Sequence, residues 1–219
     1  MTRHVTSAPR RIGGTGREKG PLPDGDKQMS GNAAMNARRI DRRVQRTRAA
    51  LVNAFTQLFF EHGYDGFTIA DIIERADVGR STFYEHFRGK NALLAETVQR
   101  PFAALAGAVD RGARSAALIP VLEHVRANRE SARATMGRDA SRRALTRVLS
   151  AMIEQRLALR TPSIDRRTAR LRLASLALAQ AEMGVIAAWA TAQIAGEARD
   201  VAHILHALAQ SAATALATR

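Results

Sequence analysis

The stretch that decides the fold is residues 67–90, which read FTIADIIERADVGRSTFYEHFRGK. Over residues 69–76 the apolar side chains recur at three-and-four spacing, so the sequence predicts a short amphipathic helix with one buried face. Thr68 is a good N-cap for this helix, because a threonine side chain accepts a hydrogen bond from a first-turn amide. Asp71 stands three residues later and is a shorter version of the acid that completes a capping box.

A break and a second short helix follow directly. Asp77-Val78-Gly79 interrupts the helical pattern, and the next helix is expected from Arg80 to Phe87. Phe83 and Phe87 lie four residues apart, so both face the buried side of that helix. Two short helices joined by a three-residue turn indicate a helix-turn-helix.

The flanking segments complete a small helical domain. Residues about 43–61 carry apolar side chains at helical spacing, and Gly63 follows at the position of a left-handed cap. A fourth helix opens at Gly89-Lys90-Asn91. Nine of the ten aromatic residues lie between Phe55 and Phe102, and a domain of about 50 residues needs such dense apolar area for its core.

The remainder of the chain is rich in Ala and Leu and lacks the alternation of a β-strand. The fold class is therefore all-α, with an N-terminal three-helix helix-turn-helix domain and a C-terminal helical domain. Pro101 begins a new helix or kinks the fourth one, and Ser163 or Asp165 caps a long helix after Pro162. Helices are expected near 101–111, 119–128, 129–136, 139–160, 164–194 and 198–217.

The first residues differ from the rest in composition. Residues 1–38 hold six of the 15 Gly and three of the six Pro, so they bury too little apolar area to offset the entropy of ordering. We expect a disordered basic tail at 1–38, the helix-turn-helix domain at 39–98 and the second helical domain at 99–219. The basic residues of the tail either contact nucleic-acid phosphates or stay solvated, and the sequence leaves both open.

Composition narrows the classes of function. The chain has 219 residues and a formal net charge of +14, carried almost entirely by Arg, which favours a polyanionic partner. The absence of Cys excludes disulfides, thiolate nucleophiles and Cys-ligated zinc. Because a phosphate-binding Walker loop, a nucleophile elbow and a dinucleotide glycine fingerprint are all missing, we expect neither an enzyme nor a cofactor.

The longest apolar stretch, Leu173–Ala190, is interrupted by Ser175, Gln180 and Glu182. A membrane span does not normally carry a carboxylate near its centre. The first residues also lack the apolar segment of a secretory signal. We therefore expect a buried helix in a cytoplasmic protein that makes no membrane contact.

The stretch quoted above resembles the DNA-binding domain of TetR-family transcriptional regulators. The resemblance rests on Thr-Phe-Tyr-x-His-Phe, which ends at Phe87, on Lys90 three residues later and on the preceding Thr-headed helix. It covers residues about 43–98, and the Ala-rich remainder looks like the family's ligand-binding and dimerisation domain. Two positions depart from the family pattern. Asp77 replaces a common Gly but tolerates left-handed geometry, and Gly79 replaces a Ser cap and gives no side-chain bond.

The helix-turn-helix supplies candidate contacts to duplex DNA. Arg80, at the start of the second short helix, suits bidentate pairing with a guanine edge, with a phosphate contact or a solvated side chain as the alternatives. Ser81 and Thr82 are short donors that suit bases or phosphates. Tyr84 packs along the helix and offers its hydroxyl to the DNA, or it lies at the rim of the small core.

Further candidates come from the resemblance. It implies phosphate contacts from His86 and Lys90, and Lys90 also lies at a helix N-terminus that favours anions. Thr47 and Thr68 look like additional phosphate anchors. For Thr68 this role is compatible with capping.

One short recognition helix reads too few base pairs to be specific across a genome. A two-fold dimer on a palindromic operator reads two half-sites, so we expect a homodimer. The last two long helices are the candidates for its interface, with ordinary intramolecular packing as the alternative. Their small residues would let two helices approach closely: Ala174, Ala177, Ala181, Gly184, Ala187 and Ala188.

The resemblance also implies a pocket for a small-molecule effector in the C-terminal domain. Met and aromatic residues at helical spacing are also ordinary core, so both interpretations stay open. Glu182, in an apolar helix, needs either an arginine partner or a cationic ligand. His203 and His206 lack a third ligand, so no metal site is expected. The candidate lining residues are Phe102, Leu122, Met136, Met152, Glu182, Met183 and Trp189.

The sequence thus predicts a homodimeric repressor that binds a palindromic operator and is released by a small molecule. The alternative is a helical DNA- or protein-binding module without small-molecule control. In that alternative the basic tail supplies the affinity, so deletion of residues 1–38 abolishes DNA binding instead of weakening it.

Overall fold

A computed structural model describes residues 25–161 and 168–217, with side chains at Arg39 and from Asp41 onward. In this part of the chain the regular elements are helical, which confirms the predicted all-α class. The N-terminal helices are α1 (Gly25–His62), α2 (Ile69–Ala76), α3 (Arg80–His86) and α4 (Lys90–Gly107). A 3-10 turn at Ser115–Leu118 precedes α5 (Ile119–Ala127), α6 (Arg129–Gly137), α7 (Asp139–Arg160), α8 (Ala169–Ala190) and α9 (Ala198–Ala217).

Helix α1 begins earlier than predicted. The composition predicts a disordered tail over residues 1–38 and a helix from about residue 43, but α1 starts at Gly25. The prolines that argued for disorder all precede Gly25, and no proline follows until Pro101. A helix can therefore continue with one backbone bond per added residue. Residues 1–24 of the predicted tail lie outside the described residues.

Helix α4 is continuous through Pro101, so the separate helix predicted at 101–111 is wrong. Proline removes one backbone bond inside a helix. Beyond it, however, Phe102, Leu105 and Ala106 are buried, and the burial of this face offsets the lost bond. The capping residues predicted after Pro162 lie outside the described residues.

Residues from Val44 onward form one compact unit, and those up to Arg43 belong to another. Within the larger unit, α7 packs against both α4 and α8, and α9 packs against α8 and α5. We call residues 44–89 the head and helices α5–α9 the bundle. Helix α4 begins at the head and packs along α7 of the bundle, so it joins the two parts.

Helix α8 is long and apolar enough, by length and composition alone, to cross a membrane. One of its faces is buried within the fold, including Leu171, Ala179 and Trp189. The indole nitrogen of Trp189 donates to the Gly196 carbonyl at 2.9 Å, so its polar group is satisfied inside the bundle.

Glu182 lies on the buried face of α8 and is fully inaccessible. Its two carboxyl oxygens have no hydrogen-bond partner among the described residues, so the arginine partner considered from the sequence is not found there. Burial raises the pKa of Glu182 from 4.5 to about 8. Because this pKa exceeds the unfolded value, the carboxyl destabilises the fold progressively as pH rises from about 4.5 to about 8.

We expect Glu182→Gln to remove most of this pH dependence. Relative to the parent protein, the variant should gain about 2–5 kcal/mol in unfolding free energy between pH 4.5 and pH 8.5, since one pKa unit corresponds to about 1.4 kcal/mol. Urea unfolding at the two pH values measures this change. Glu197→Gln, at an exposed position, is the control and should leave the pH dependence intact. Equal pH dependence in the parent and in Glu182→Gln would contradict the assignment.

Candidate nucleic-acid interface

The N-terminus of α2 is held by the predicted capping box. The Thr68 hydroxyl accepts the Asp71 amide at 3.3 Å, and the Asp71 carboxylate accepts the Thr68 amide at 2.6 Å. The Thr68 backbone and side-chain hydrogen bonds lower the pKa of Asp71, so the carboxylate stays charged. The box fixes where α2 begins and leaves Thr68 exposed, which a phosphate contact also requires.

The turn between α2 and α3 has the geometry expected from its sequence. Asp77 is left-handed, with φ 52° and ψ 51°, and its amide donates to the Glu74 carbonyl at 3.1 Å. Gly79 caps α3 in an extended conformation and makes no side-chain hydrogen bond, as predicted. Both departures from the family pattern are therefore accommodated, and the two helices keep a three-residue connection.

Helix α3 presents a polar face and buries an apolar one. Phe83 and Phe87 are 0% and 3% exposed, so they anchor the helix in the head. Arg80, Ser81 and Tyr84 are exposed, and the Arg80 guanidinium lies 5.9 Å from the centre of the Tyr84 ring. The structure thus brings these three predicted DNA-contact residues onto one exposed helix.

The other predicted contacts are less accessible. Thr82 and His86 on α3 are half-buried, and so is Thr47. Thr47 lies well inside α1 and not near its first turn, because the helix begins at Gly25.

Lys90, predicted as a phosphate contact, packs against the head. Its ammonium group donates to the Phe67 carbonyl and lies 3.9 Å from the centre of the Phe67 ring and 4.7 Å from that of Tyr64. Burial lowers the pKa of Lys90, while Asp65 and Asp71 oppose that shift. The side chain therefore has a structural role that the sequence analysis missed. The phosphate contact stays a prediction.

Two ion pairs that the sequence analysis also missed brace the head. Arg48 on α1 binds Glu96 on α4 through two hydrogen bonds of 3.2 and 2.9 Å, and its guanidinium lies 4.8 Å from the centre of the Phe87 ring. Arg75 on α2 binds Glu61 on α1 at 2.7 Å. Each pair joins residues on two different helices, so the spacing of residues within one helix gives no signal for it.

The predicted effector-pocket residues lie in α4 to α8. Glu182 and four apolar residues, Phe102, Leu122, Met183 and Trp189, are buried. Met136 and Met152 are half-buried. Their burial fits the core interpretation, and a ligand pocket among them stays a prediction.

Comparisons with known proteins agree with this geometry. Residues 51–97 match the family model described as "Bacterial regulatory proteins, tetR family". The HTH-type transcriptional regulator YxbF of Bacillus subtilis (strain 168) is 45% identical over 64 residues, which are 29% of this chain and 17% of YxbF. The HTH-type transcriptional repressor DhaR of Mycobacterium sp. (strain GP1) is 35% identical over 74 residues, which are 34% of this chain and 37% of DhaR. The matches thus span well under half of either relative.

A solved structure extends the likeness to the bundle. The crystal structure of a TetR transcriptional regulator from Streptococcus agalactiae 2603V aligns with a TM-score of 0.51 at 23% identity. The alignment covers 79% of this chain and 98% of that one. Because the identity is low, this likeness shows the fold alone.

The packing of Lys90 gives a testable consequence. We expect Lys90→Ala to lower the unfolding free energy by about 1–2 kcal/mol, because it removes both the aliphatic stem and the cation over two rings. Lys90→Met keeps an apolar stem and should recover about half of that loss. Thermal or urea unfolding measures both variants, and Arg88→Ala, at an exposed neighbouring position, is the control. If Lys90→Ala is as stable as the control, the packing role is wrong.

Proposed function

We propose that this chain, whose residues 51–97 form a TetR-family DNA-binding domain, is a homodimeric transcriptional repressor released by a small-molecule effector. The observation that carries the proposal is the two-sided character of α3. Buried Phe83 and Phe87 fix the helix, and Arg80 and Tyr84 stand exposed on its other side. A recognition helix in the major groove requires this arrangement.

Each of the predicted DNA-contact residues has a role in this proposal. Arg80 reads a guanine edge, since its fork can donate two parallel hydrogen bonds. Ser81, Thr82 and Tyr84 contact bases or nearby phosphates, because short hydroxyls suit either. A second group of residues fixes the register of the helix on the backbone of the duplex: Thr47, Thr68, His86 and Lys90.

The outer faces of α8 and α9 support a homodimer. Leu173 and Ile204 are 65% and 53% exposed, and Leu176 and Leu208 are exposed beside them on the same two helices. Nothing lies within 4 Å of a Cβ built on Gly184, so a second helix can approach α8 there. Exposed apolar side chains on adjacent helices are typical of an interface. Two copies related by a two-fold axis would then read the two halves of a palindromic operator.

The interior of the bundle supports control by a ligand. Glu182 and Thr135 have buried side-chain oxygens without hydrogen-bond partners among the described residues. Such groups are costly to leave unpaired, and a ligand that donates hydrogen bonds to them would recover that cost. We propose that the effector binds in this interior, next to Phe102, Met183 and Trp189.

The repressor role is supported by one relative, and the non-enzymatic role is supported by the sequence motifs. DhaR, which matches this chain in part, is itself named a repressor. We propose a non-enzymatic role, because no catalytic motif was found in the sequence, and a cytoplasmic location, where operator DNA is accessible.

DNA recognition is tested by footprinting the DNA upstream of the chain's own gene at physiological salt. We expect a protected near-palindrome, and we expect Arg80→Ala to weaken binding about 5- to 150-fold, the value of one good bidentate base contact. Arg199→Ala, which removes the same charge at an exposed position on α9, should bind like the parent. Diffuse, salt-sensitive binding that Arg80→Ala leaves unchanged would favour the module driven by the basic tail.

The dimer is tested by sedimentation. We expect Ile204→Glu to weaken self-association by about 100-fold or more, because a two-fold interface brings two new carboxylates together. Ile194→Glu is the matched control, since Ile194 is 56% exposed but lies in the turn after α8. If both variants associate like the parent, the interface lies elsewhere.

A further inference from the structure

Glu182 is the least satisfied side chain in the interior of the bundle. It lies more than two turns from either end of α8, so the ends of the helix give it no route to solvent. The side chain is fully buried, and neither carboxyl oxygen has a hydrogen-bond partner among the described residues. Because an unpaired buried carboxyl group is costly, this site favours a molecule that supplies the missing donors.

Most of the other buried hydroxyls of the bundle already have acceptors. The hydroxyls of Thr146, Thr161 and Ser175 each donate to a carbonyl four residues earlier, at 2.7–2.8 Å. The Thr135 hydroxyl on α6, which packs against α8, is an exception and has no partner among the described residues. The fold thus leaves two unpaired polar groups, Thr135 and Glu182, on two helices that are in contact.

Several arginines of the helices that pack against α8 are engaged elsewhere. Arg142 and Arg156 on α7 each bind an aspartate, at 2.5 and 2.6 Å. Arg129 on α6 donates to the Trp189 carbonyl at 3.4 Å. Burial raises the pKa of Glu182, and no charged neighbour among the described residues opposes that shift. A cation for this carboxyl group therefore has to come from outside the described part of the chain.

The surroundings of Glu182 suit an organic cation better than a metal ion. Calcium and magnesium ions need six or more ligands, mostly oxygen atoms, and the described residues contain no group of three side chains that could hold a metal. An ammonium or amidinium group carries at least two N–H donors, enough for both carboxyl oxygens. The residues one turn away on the buried face, Leu178, Ala179 and Ile186, are apolar, so they suit an apolar body attached to the cation.

We propose that the effector is an organic cation with an apolar body, and that its ammonium or amidinium group pairs with the Glu182 carboxylate inside the bundle. This inference rests on the proposed function, because it names the chemical class of the proposed effector. A charge-assisted pair that is shielded from water is stronger than a hydrogen bond between neutral groups. A cation is therefore preferred to a neutral ligand of the same shape.

Formation of the pair requires a proton to leave Glu182. Its pKa of about 8 means that the carboxyl group of the empty protein is mostly protonated at pH 7. Loss of that proton lowers the affinity for the cation only about tenfold at this pH, since one pKa unit is a factor of ten. The proton goes to solvent while the ligand keeps its own, so binding at pH 7 releases about 0.9 proton for each ligand bound.

The first test compares cations with neutral counterparts of similar shape by calorimetry. The cations are phenethylamine, phenylbutylamine and benzamidine, and the counterparts are phenethyl alcohol, phenylbutanol and benzamide. We expect the parent protein to bind the cations about 10-fold or more tightly, and Glu182→Gln to lose this preference because an amide cannot become an anion. If none of the cations binds, or if the counterparts bind equally well, the proposal is wrong.

Two variants serve as controls for this comparison. Glu197→Gln makes the same chemical change at an exposed position. His206→Gln removes a ring whose Nδ1 atom is also buried without a partner among the described residues. Both controls should keep the preference for cations, and loss of the preference in either one would assign the site to a residue other than Glu182.

The second test measures proton release by repeating the calorimetry in two buffers of different ionisation enthalpy. We expect the parent and both controls to release about 0.9 proton for each cation bound at pH 7 and about 0.1 at pH 9. Glu182→Gln should release none at either pH. Binding of the cations to the parent at pH 7 without proton release would overturn the ion pair.

The third test asks whether the cations act as effectors on DNA binding. At saturating phenylbutylamine, we expect the parent to bind the duplex upstream of the chain's own gene about 5- to 150-fold more weakly, the usual range of coupling between two sites. Unchanged DNA affinity in spite of proton release would overturn the effector role. If the parent does not bind this duplex at all, the proposed function fails, whereas proton release still decides whether Glu182 binds an organic cation.

Discussion

The head depends on the burial of a few aromatic rings in a very small core. Phe55, Phe59 and Phe67 form close ring contacts, with Phe55 and Phe67 edge to face at 5.5 Å between centres. Phe83 and Phe87 fix α3 in the same core. Since aromatic side chains bury large areas with few rotatable bonds, they stabilise a domain that lacks the volume for a conventional core. Burial of Phe83 and Phe87 in this core fixes the orientation of α3 and therefore keeps its polar face exposed.

Around this core, the abundant arginines have distinct roles set by their surroundings. Arg48 pairs with Glu96 and covers the Phe87 ring, and Arg138 binds backbone carbonyls at the end of α1. Arg80 stands on the exposed face of α3, with its guanidinium near the Tyr84 ring. A planar guanidinium suits each of these roles, because it can stack on an aromatic ring and can donate several hydrogen bonds in fixed directions. The net positive charge suggests a polyanionic partner, but only the arginines that the fold leaves exposed can contact it.

The bundle carries features that the isolated chain does not explain. Glu182 is buried without a partner among the described residues, and Leu173 and Ile204 expose apolar surface on the last two helices. Both features lower the stability of a lone chain, the first by desolvation and the second by exposure of apolar area to water. Such costs are typical of sites completed by another molecule, and they agree with the proposed effector inside the bundle and the proposed second copy outside it.

The sequence by itself determined the local structure of the head. The Thr68 capping box, the left-handed Asp77 turn and the Phe83–Phe87 face each depend on residues a few positions apart, and helical spacing reports such interactions directly. The sequence did not predict the early start of α1 or the continuation of α4 through Pro101. In α4, burial of residues further along the helix outweighs the tendency of proline to interrupt it. Only the tertiary structure decided that Lys90 packs on Phe67 and that Arg138 caps α1, because these contacts join residues far apart in sequence that become neighbours only when the helices pack.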